Sequence, residues 1–272
     1  MSSTGDAPLT RIAPTPSGFL HAGNRLNFRV TADLATSLGA TLALRIDDAD
    51  AARYRREYAE DIFVTLHDMG ISWTLGPRDV DDFEQNWSQR AKTEQYRHEL
   101  RQAVESGLAV YACACSRAEQ AGPASGGCAG GCRSRSLPLE PGRTALRVVV
   151  DAGTRVTIGE EVIPLADAMG DFVIWRRDDL PAYQLVSVVE DRDLGVTHIV
   201  RGRDLLASSA AQVHLARWTG AQNVAEAVYV HHDLVTDPSG AKLSKSTLAQ
   251  ATGQLAQATG QVAQATGQEG GR

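Results

Sequence analysis

The chain holds 272 residues, 43% of them apolar, which suffices for one or two domains with a buried core and is ordinary for a globular protein. No run of eighteen apolar residues occurs, so no membrane-spanning helix is expected, and the short polar stretch from Met1 to Leu9 is no secretory signal; a cytoplasmic protein is expected. A net charge of −6 argues against a protein that coats nucleic acid indiscriminately, since that affinity comes from Lys and Arg.

In chain order, Leu9 to Ala13 is a short apolar run closed by Pro14 and Pro16, and reads as a strand. A loop with Gly18 and Gly23 follows. Leu26, Val30, Leu34 and Leu38 then recur every four residues, one face of a helix that starts near Asn24 and stops at Gly39. Thr41 to Ile46 reads as a second buried strand, ending in Asp47, Asp48 and Asp50. Helices are expected over Tyr58 to Met69 and over Glu94 to Glu105. This alternation implies a parallel, doubly wound sheet.

From Tyr111 to about Leu180 the pattern breaks into Gly- and Ser-rich turns and short strand-like pieces such as Ala145 to Val150, as expected of an inserted unit. Tyr183 to Val189 and Thr197 to Val200 are strand- or helix-sized apolar runs, Leu206 to Trp218 a helix, and Ala227 to Val230 a strand. Gln250 to Gln268 repeats a LAQATGQ-like unit whose Gly and Thr weaken a helix, and reads as a low-complexity tail.

Four cysteines, Cys113, Cys115, Cys128 and Cys132, fall within twenty residues. In a cytosolic chain such a cluster reads as a metal site, and four thiolates suit a closed, structural, tetrahedral zinc; four free thiols are the plainer alternative. Arg133, Arg135, Arg143 and Arg147, then Arg176 and Arg177, lie close to it in sequence. Each reads singly as solvated surface, and together they could contact an RNA backbone.

Two segments carry chemistry. Arg11 to Asn24 joins a strand to a helix N-terminus, where unpaired N–H groups and partial positive charge suit a triphosphate; Gly23 permits close approach and His21 could donate to phosphate oxygens. Gly240 to Ser246 places Lys242 and Lys245 in a loop able to neutralise a leaving pyrophosphate. In this order, His21-Ala-Gly-Asn24 and Lys242-Leu-Ser-Lys-Ser246 resemble the HIGH and KMSKS signatures of class I aminoacyl-tRNA synthetases. Arg11 with Ala13 to Ser17, Arg45-Ile-Asp-Asp-Ala-Asp50, Tyr183 and Ile199 to Asp204 narrow the resemblance to the glutamyl/glutaminyl branch. It runs from about Thr10 to Ser246, and the cysteines resemble the zinc-binding insert of the short glutamyl-queuosine tRNA(Asp) synthetases, where Cys128 takes a place often held by tyrosine.

The fold then expected is α/β. A Rossmann-type doubly wound parallel sheet covers 1–110 and 183–236, and an inserted zinc-containing α+β subdomain interrupts it over 111–182. The KLSKS loop (237–249) and a short C-terminal low-complexity tail (250–272) follow. The resemblance implies an ATP-dependent ligase that forms glutamyl-AMP from L-glutamate, releases pyrophosphate, and passes glutamate to the queuosine base of tRNA(Asp). It implies one structural Zn2+, Mg2+ carried with ATP, and a monomer. His21, Lys242 and Lys245 would act on the phosphates, with Gly23 and Asn24 completing the ATP site. Arg11, Ala13, Ser17, Asp47, Tyr183 and Arg201 would hold glutamate, the arginines on its carboxylates and Asp47 on its ammonium group.

Two departures stand out. Asp47 occupies a position usually Glu in glutamyl enzymes, but Arg11 and Arg201 would leave glutamine with unpaired cations, which keeps glutamate ahead. Only 26 residues follow Ser246, where full glutamyl-tRNA synthetases carry an anticodon-binding region, so an ordinary glutamyl-tRNA synthetase is not expected. A paralogue loading a non-tRNA acceptor and a non-catalytic RNA- or nucleotide-binding relic stay open as alternatives.

Overall fold

The computed structural model describes residues 7–116, 128 and 131–233. The expected KLSKS loop and repeat tail lie outside the described residues.

Strand β1 (Leu9–Ile12) is followed by helix α1 (Ala22–Leu38) and strand β2 (Thr41–Leu44). Helix α1 buries Leu26, Phe28, Val30 and Leu34, and ends at Gly39 in the left-handed conformation (φ 60°) that a residue without Cβ adopts easily. Helix α2 (Arg56–Asp68) starts two residues earlier than the apolar spacing indicates, and α3 (Thr93–Glu105) one residue earlier, because a first turn needs no buried side chain. The segment that follows α3 contributes β3 (Val110–Cys113), β4 (Ala145–Val148), β5 (Arg155–Ile158), β6 (Glu161–Pro164) and β7 (Val173–Trp175). Then come α4 (Tyr183–Asp193), β8 (His198–Gly202), α5 (Leu206–Ala216) and β9 (Val228–His232).

Strands β2, β1, β8 and β9, in that order, form one parallel sheet, as the alternating pattern requires. Side chains alternate across it. Ile12 and Leu44 pack with Phe28 of α1 and with Ile62 and Leu66 of α2, while Val200 packs with Leu26, Val30 and Leu34. By the same parity Arg11, Arg45 and Arg201 are displaced to the opposite face, where α4 lies. That helix has no apolar period because every residue from Gln184 to Asp191 is buried, which is why sequence left strand and helix equally open. The chain passes close to β2 again at Leu75, which accepts from Leu44 N–H at 2.8 Å. A Cβ on Gly76 (φ 118°) would lie 2.1 Å from the Leu44 carbonyl oxygen, so only glycine fits.

The strand pairing in the segment between α3 and α4 is antiparallel: β3, β4 and β7 form one sheet and β5 and β6 a separate hairpin. Leu146, Val148, Ile174 and Trp175 share a core with Tyr96 and Leu100 of α3, Leu185 and Val189 of α4, and Leu215 of α5. Among the described residues, no helix is long and apolar enough to cross a membrane.

Candidate active site

The C-terminal ends of the parallel strands open onto a cavity of about 530 Å3, where the strand order changes direction between β1 and β8. Its lining brings together Arg11, Ala13, Ser17, His21, Gly23, Asn24, Asp47, Tyr183 and Arg201, which the sequence scatters from position 11 to position 201. Thr15, Arg45 and His232 also line it, and sequence reasoning gave them no role. Lys242 and Lys245 lie outside the described residues.

Helix α1 begins at Ala22 rather than near Asn24, because His21 is its N-cap. The His21 Nδ1 accepts from Gly23 N–H at 3.1 Å, and Asn24 Oδ1 accepts from His21 N–H at 3.0 Å. Each satisfies a donor that the helix start would leave unpaired. A neutral imidazole that accepts at Nδ1 carries its proton on Nε2, so the ring presents a donor at the positive end of α1. A Cβ on Gly23 would sit 3.1 Å from His21 Cε1, so glycine lets the ring lie over the turn.

Beneath the part of the cavity lined by Arg11, Arg45 and Arg201 lies Asp191 of α4, wholly buried. Arg11 Nε reaches its Oδ1 at 2.7 Å and Arg11 Nη2 its Oδ2 at 3.3 Å; Arg45 Nη1 meets Oδ1 at 2.7 Å, and Arg201 stands 3.8 Å from Oδ2. Burial pushes the Asp191 carboxyl up, but Arg11, Arg45 and Arg201 outweigh it and hold its pKa down to about 2. Burial likewise opposes the charge on Arg45, and Asp191 and Asp47 overcome it, raising that guanidinium above its ordinary value. Sequence reasoning missed Asp191, whose VVEDRD context resembles a solvated helix end.

Arg201 is further fixed by donating from Nη2 to Ser187 Oγ at 3.1 Å and from Nη1 to Ser209 Oγ at 3.2 Å. The Ser209 hydroxyl also shares a hydrogen bond with His231 Nε2, 2.9 Å away. Burial, then the charge of Arg201, lowers the His231 pKa to about 4, so the ring is neutral at pH 7.

The three acids after β2 have separate partners. Asp47 accepts from Arg45 Nε at 2.7 Å, Arg45 Nη2 at 3.1 Å and Gln89 Nε2 at 2.9 Å. Asp48 accepts from Ser88 Oγ, Gln89 N–H and Arg90 Nε, all within 2.7 Å, and is buried. Asp50 accepts from Arg176 Nη1 at 2.8 Å. Asp47 alone of the three lines the cavity.

Of the basic residues near the cysteines, Arg133, Arg135 and Arg143 are exposed, as a solvated surface would have them, while Arg147 and Arg177 fasten the protein internally. Arg147 is buried and donates to the Asp171 carbonyl, Arg133 pairs with Asp151, and Arg143 pairs with Glu140. Arg177 Nη2 donates to the carbonyls of Ala114 and Cys115 at 2.9 and 2.8 Å. The cysteines themselves converge. Their four sulfurs lie within 4.8 Å of one another, with Cys115 Sγ 3.2 Å from Cys128 Sγ and 3.6 Å from Cys132 Sγ. A tetrahedral zinc with bonds of about 2.3 Å sets its sulfurs roughly 3.8 Å apart, so the donor set fits a metal ion. Burial opposes ionisation of Cys128, but Cys132 N–H, 3.4 Å from its sulfur, and the neighbouring thiols bring its pKa down to about 7.

Residues 9–122 and 134–268 match the family model of class I (E and Q) tRNA synthetases, catalytic domain. The chain belongs to this family. Among relatives of this synthetase, the glutamyl-Q tRNA(Asp) synthetase of Verminephrobacter eiseniae is 37% identical over 89% of this chain and 82% of its own length. That of Geobacter sulfurreducens is 38% identical over 93% of this chain and 81% of its own. A solved glutamate tRNA ligase from Elizabethkingia meningosepticum, in complex with its amino acid, shares the fold with a TM-score of 0.69 at 22% identity; 89% of this chain is covered. The glutamate-tRNA synthetase of Elizabethkingia anophelis gives a TM-score of 0.70 at 22% identity. This chain spans about half the length of those two solved synthetases, 52% and 53%.

Proposed function

We propose that this class I synthetase activates L-glutamate with ATP and then transfers it to the queuosine base of tRNA(Asp). The observation that carries the amino-acid choice is the charge of the cavity floor. Arg11, Arg45 and Arg201 face Asp47 and Asp191, three guanidiniums against two carboxylates. The outer acids Asp48 and Glu190 are paired with Arg90 and Lys92. One positive charge is left, which glutamate neutralises and glutamine does not.

In this reading Arg11 and Arg201 receive the carboxylates of glutamate, Asp47 receives its ammonium group, and Ala13, Ser17 and Tyr183 shape the pocket. A glutamate α-carboxylate oxygen attacks the α-phosphorus of ATP, and the bond to the bridging oxygen of pyrophosphate breaks. His21 Nε2–H and the α1 N-terminus, with Gly23 and Asn24, hold phosphate oxygens; Lys242 and Lys245 stabilise the departing pyrophosphate. The acceptor hydroxyl then attacks the glutamyl carbonyl and AMP leaves. Mg2+ accompanies ATP and screens its phosphates. Cys113, Cys115, Cys128 and Cys132 hold one structural Zn2+. The 1–110 and 183–236 segments serve as the catalytic unit and 111–182 as the insert.

The test is pyrophosphate exchange into ATP without RNA, then transfer to tRNA(Asp) with and without queuosine. Exchange with glutamate and not with glutamine, and loading only of queuosine-containing tRNA(Asp), are expected. No exchange with glutamate, glutamine or aspartate overturns the enzyme. The Arg201→Met variant is expected to lose at least about a hundredfold in kcat/KM for glutamate, since a buried charge-assisted contact is worth roughly 3 kcal/mol. For the HIGH-like motif, His21→Asn and His21→Ala separate structure from chemistry. Asparagine still caps α1 and should unfold like the wild type, whereas alanine costs about 1 kcal/mol. Both should lose exchange by at least about tenfold, because neither places a donor where Nε2–H stands.

A further inference from the structure

Phe19 is the most exposed large apolar side chain among the described residues, at 67%, and it stands at the rim of the cavity. Its position is fixed. The next residue, Leu20, donates its N–H to Asp61 Oδ2 at 2.8 Å and packs its side chain on the α1–α2 core. The Phe19 ring itself meets Tyr58 edge-on, with centroids 5.0 Å apart and planes at 82°. A T-shaped contact covers at most one broad face of the Phe19 ring and leaves the other open. Two cations are carried close by in the chain: exposed Arg53 donates at 3.1 Å to Ser17 Oγ, two residues before Phe19, and exposed Arg55 lies three residues before Tyr58. A rigid ring with an open face beside a reaction cavity, with arginines close by in the chain, has the chemistry of a base-stacking platform. An unpaired nucleobase covers the face and its phosphates meet the guanidiniums.

We infer that Phe19, backed by Tyr58, stacks the unpaired base beside the acceptor nucleotide while the RNA is docked for transfer. This rests on the proposed RNA acceptor, and it adds the contact that holds that RNA at the cavity mouth. Phe19 acts on docking and not on adenylate formation, so the two half-reactions separate its effect.

The experiment uses the full chain as wild type, Phe19→Ala and Phe19→Trp. It measures glutamate-dependent exchange, transfer to queuosine-containing tRNA(Asp), and fluorescence of the same tRNA with 2-aminopurine next to queuosine. The alanine variant is expected to raise the KM for tRNA roughly fivefold to a hundredfold, the range of one lost base–aromatic stack, with exchange changed less than about twofold. Tryptophan is expected to match or better the wild type. Quenching of 2-aminopurine is expected with phenylalanine or tryptophan and not with alanine. An unchanged tRNA KM in Phe19→Ala overturns the inference, and so does exchange that falls in step with transfer. If the wild type exchanges but leaves tRNA(Asp) unloaded, the acceptor reading fails alone. The quench still decides Phe19: its loss in the alanine variant supports stacking, and its absence from the wild type refutes it.

Discussion

Asp191→Ala is expected to lower the unfolding free energy by about 3–5 kcal/mol, the range for removing one partner of a buried ion cluster. For a chain of this size that is a fall in melting temperature of roughly 10 °C, readable by thermal denaturation. The cause is the geometry of the floor. Arg11, Arg45 and Arg201 are all at most 5% exposed, and among the described residues Asp191 is the one carboxylate with which all three pair. Without it, three guanidiniums out of reach of bulk water keep Asp47 and the more distant, Lys92-paired Glu190 as their counter-charges among the described residues. Acid titration gives a second readout. With its folded pKa near 2, below the ordinary 3.8, the carboxylate adds stability that is fully present above about pH 4 and is lost as pH falls through 2. That part is on the order of 2 kcal/mol, and the variant's stability curve should lack it. Wild-type and variant melting temperatures that coincide at pH 7 would overturn the cluster's role.

Cys115→Ser is expected to empty the cysteine cluster and loosen the antiparallel sheet. Structural zinc contributes about 10 kcal/mol to the folding of isolated zinc-finger peptides, and here the loss should centre on β3 and the turn at Cys132. Metal analysis should find one zinc per wild-type chain and none in the variant. Amide exchange should speed up over Val110–Cys113 while α1 and β1 keep their protection, because those elements draw on a different core. Equal metal content in the two proteins would count against the cluster as the ligand set.

Much of this was readable beforehand, for identifiable reasons. The doubly wound sheet followed from the alternation of apolar runs with four-residue periodicity around Leu26, Val30 and Leu34. The cysteine cluster followed from spacing alone, and the geometry brings its four sulfurs together. Helix α4 was ambiguous because burial on all sides erases the period that identifies a helix. The Asp191 hub was hidden more deeply. Its significance depends on three arginines in β1, after β2 and in β8 sharing strand parity, and no local pattern in VVEDRD reports that. The basic cluster was legible only as a cluster: sequence shows that arginines are near one another, while the fold supplies Asp171, Asp151 and the Cys115 carbonyl as partners of Arg147, Arg133 and Arg177.

Arg176 and Arg177 follow one another in the chain, yet the first fastens Asp50 at the edge of the catalytic sheet and the second fastens the Ala114 and Cys115 carbonyls. Two adjacent residues thus rivet the cysteine cluster to the loop that presents Asp47. A protein engineer who excised 111–182 to make a minimal catalytic unit would remove both rivets at once. Asp50 would lose its cation, and the loop from Asp47 to Asp50 would be held from one side only, by Arg45, Gln89 and Arg90. Shortening the chain while keeping the site would therefore need a replacement cation for Asp50 as well as a new turn.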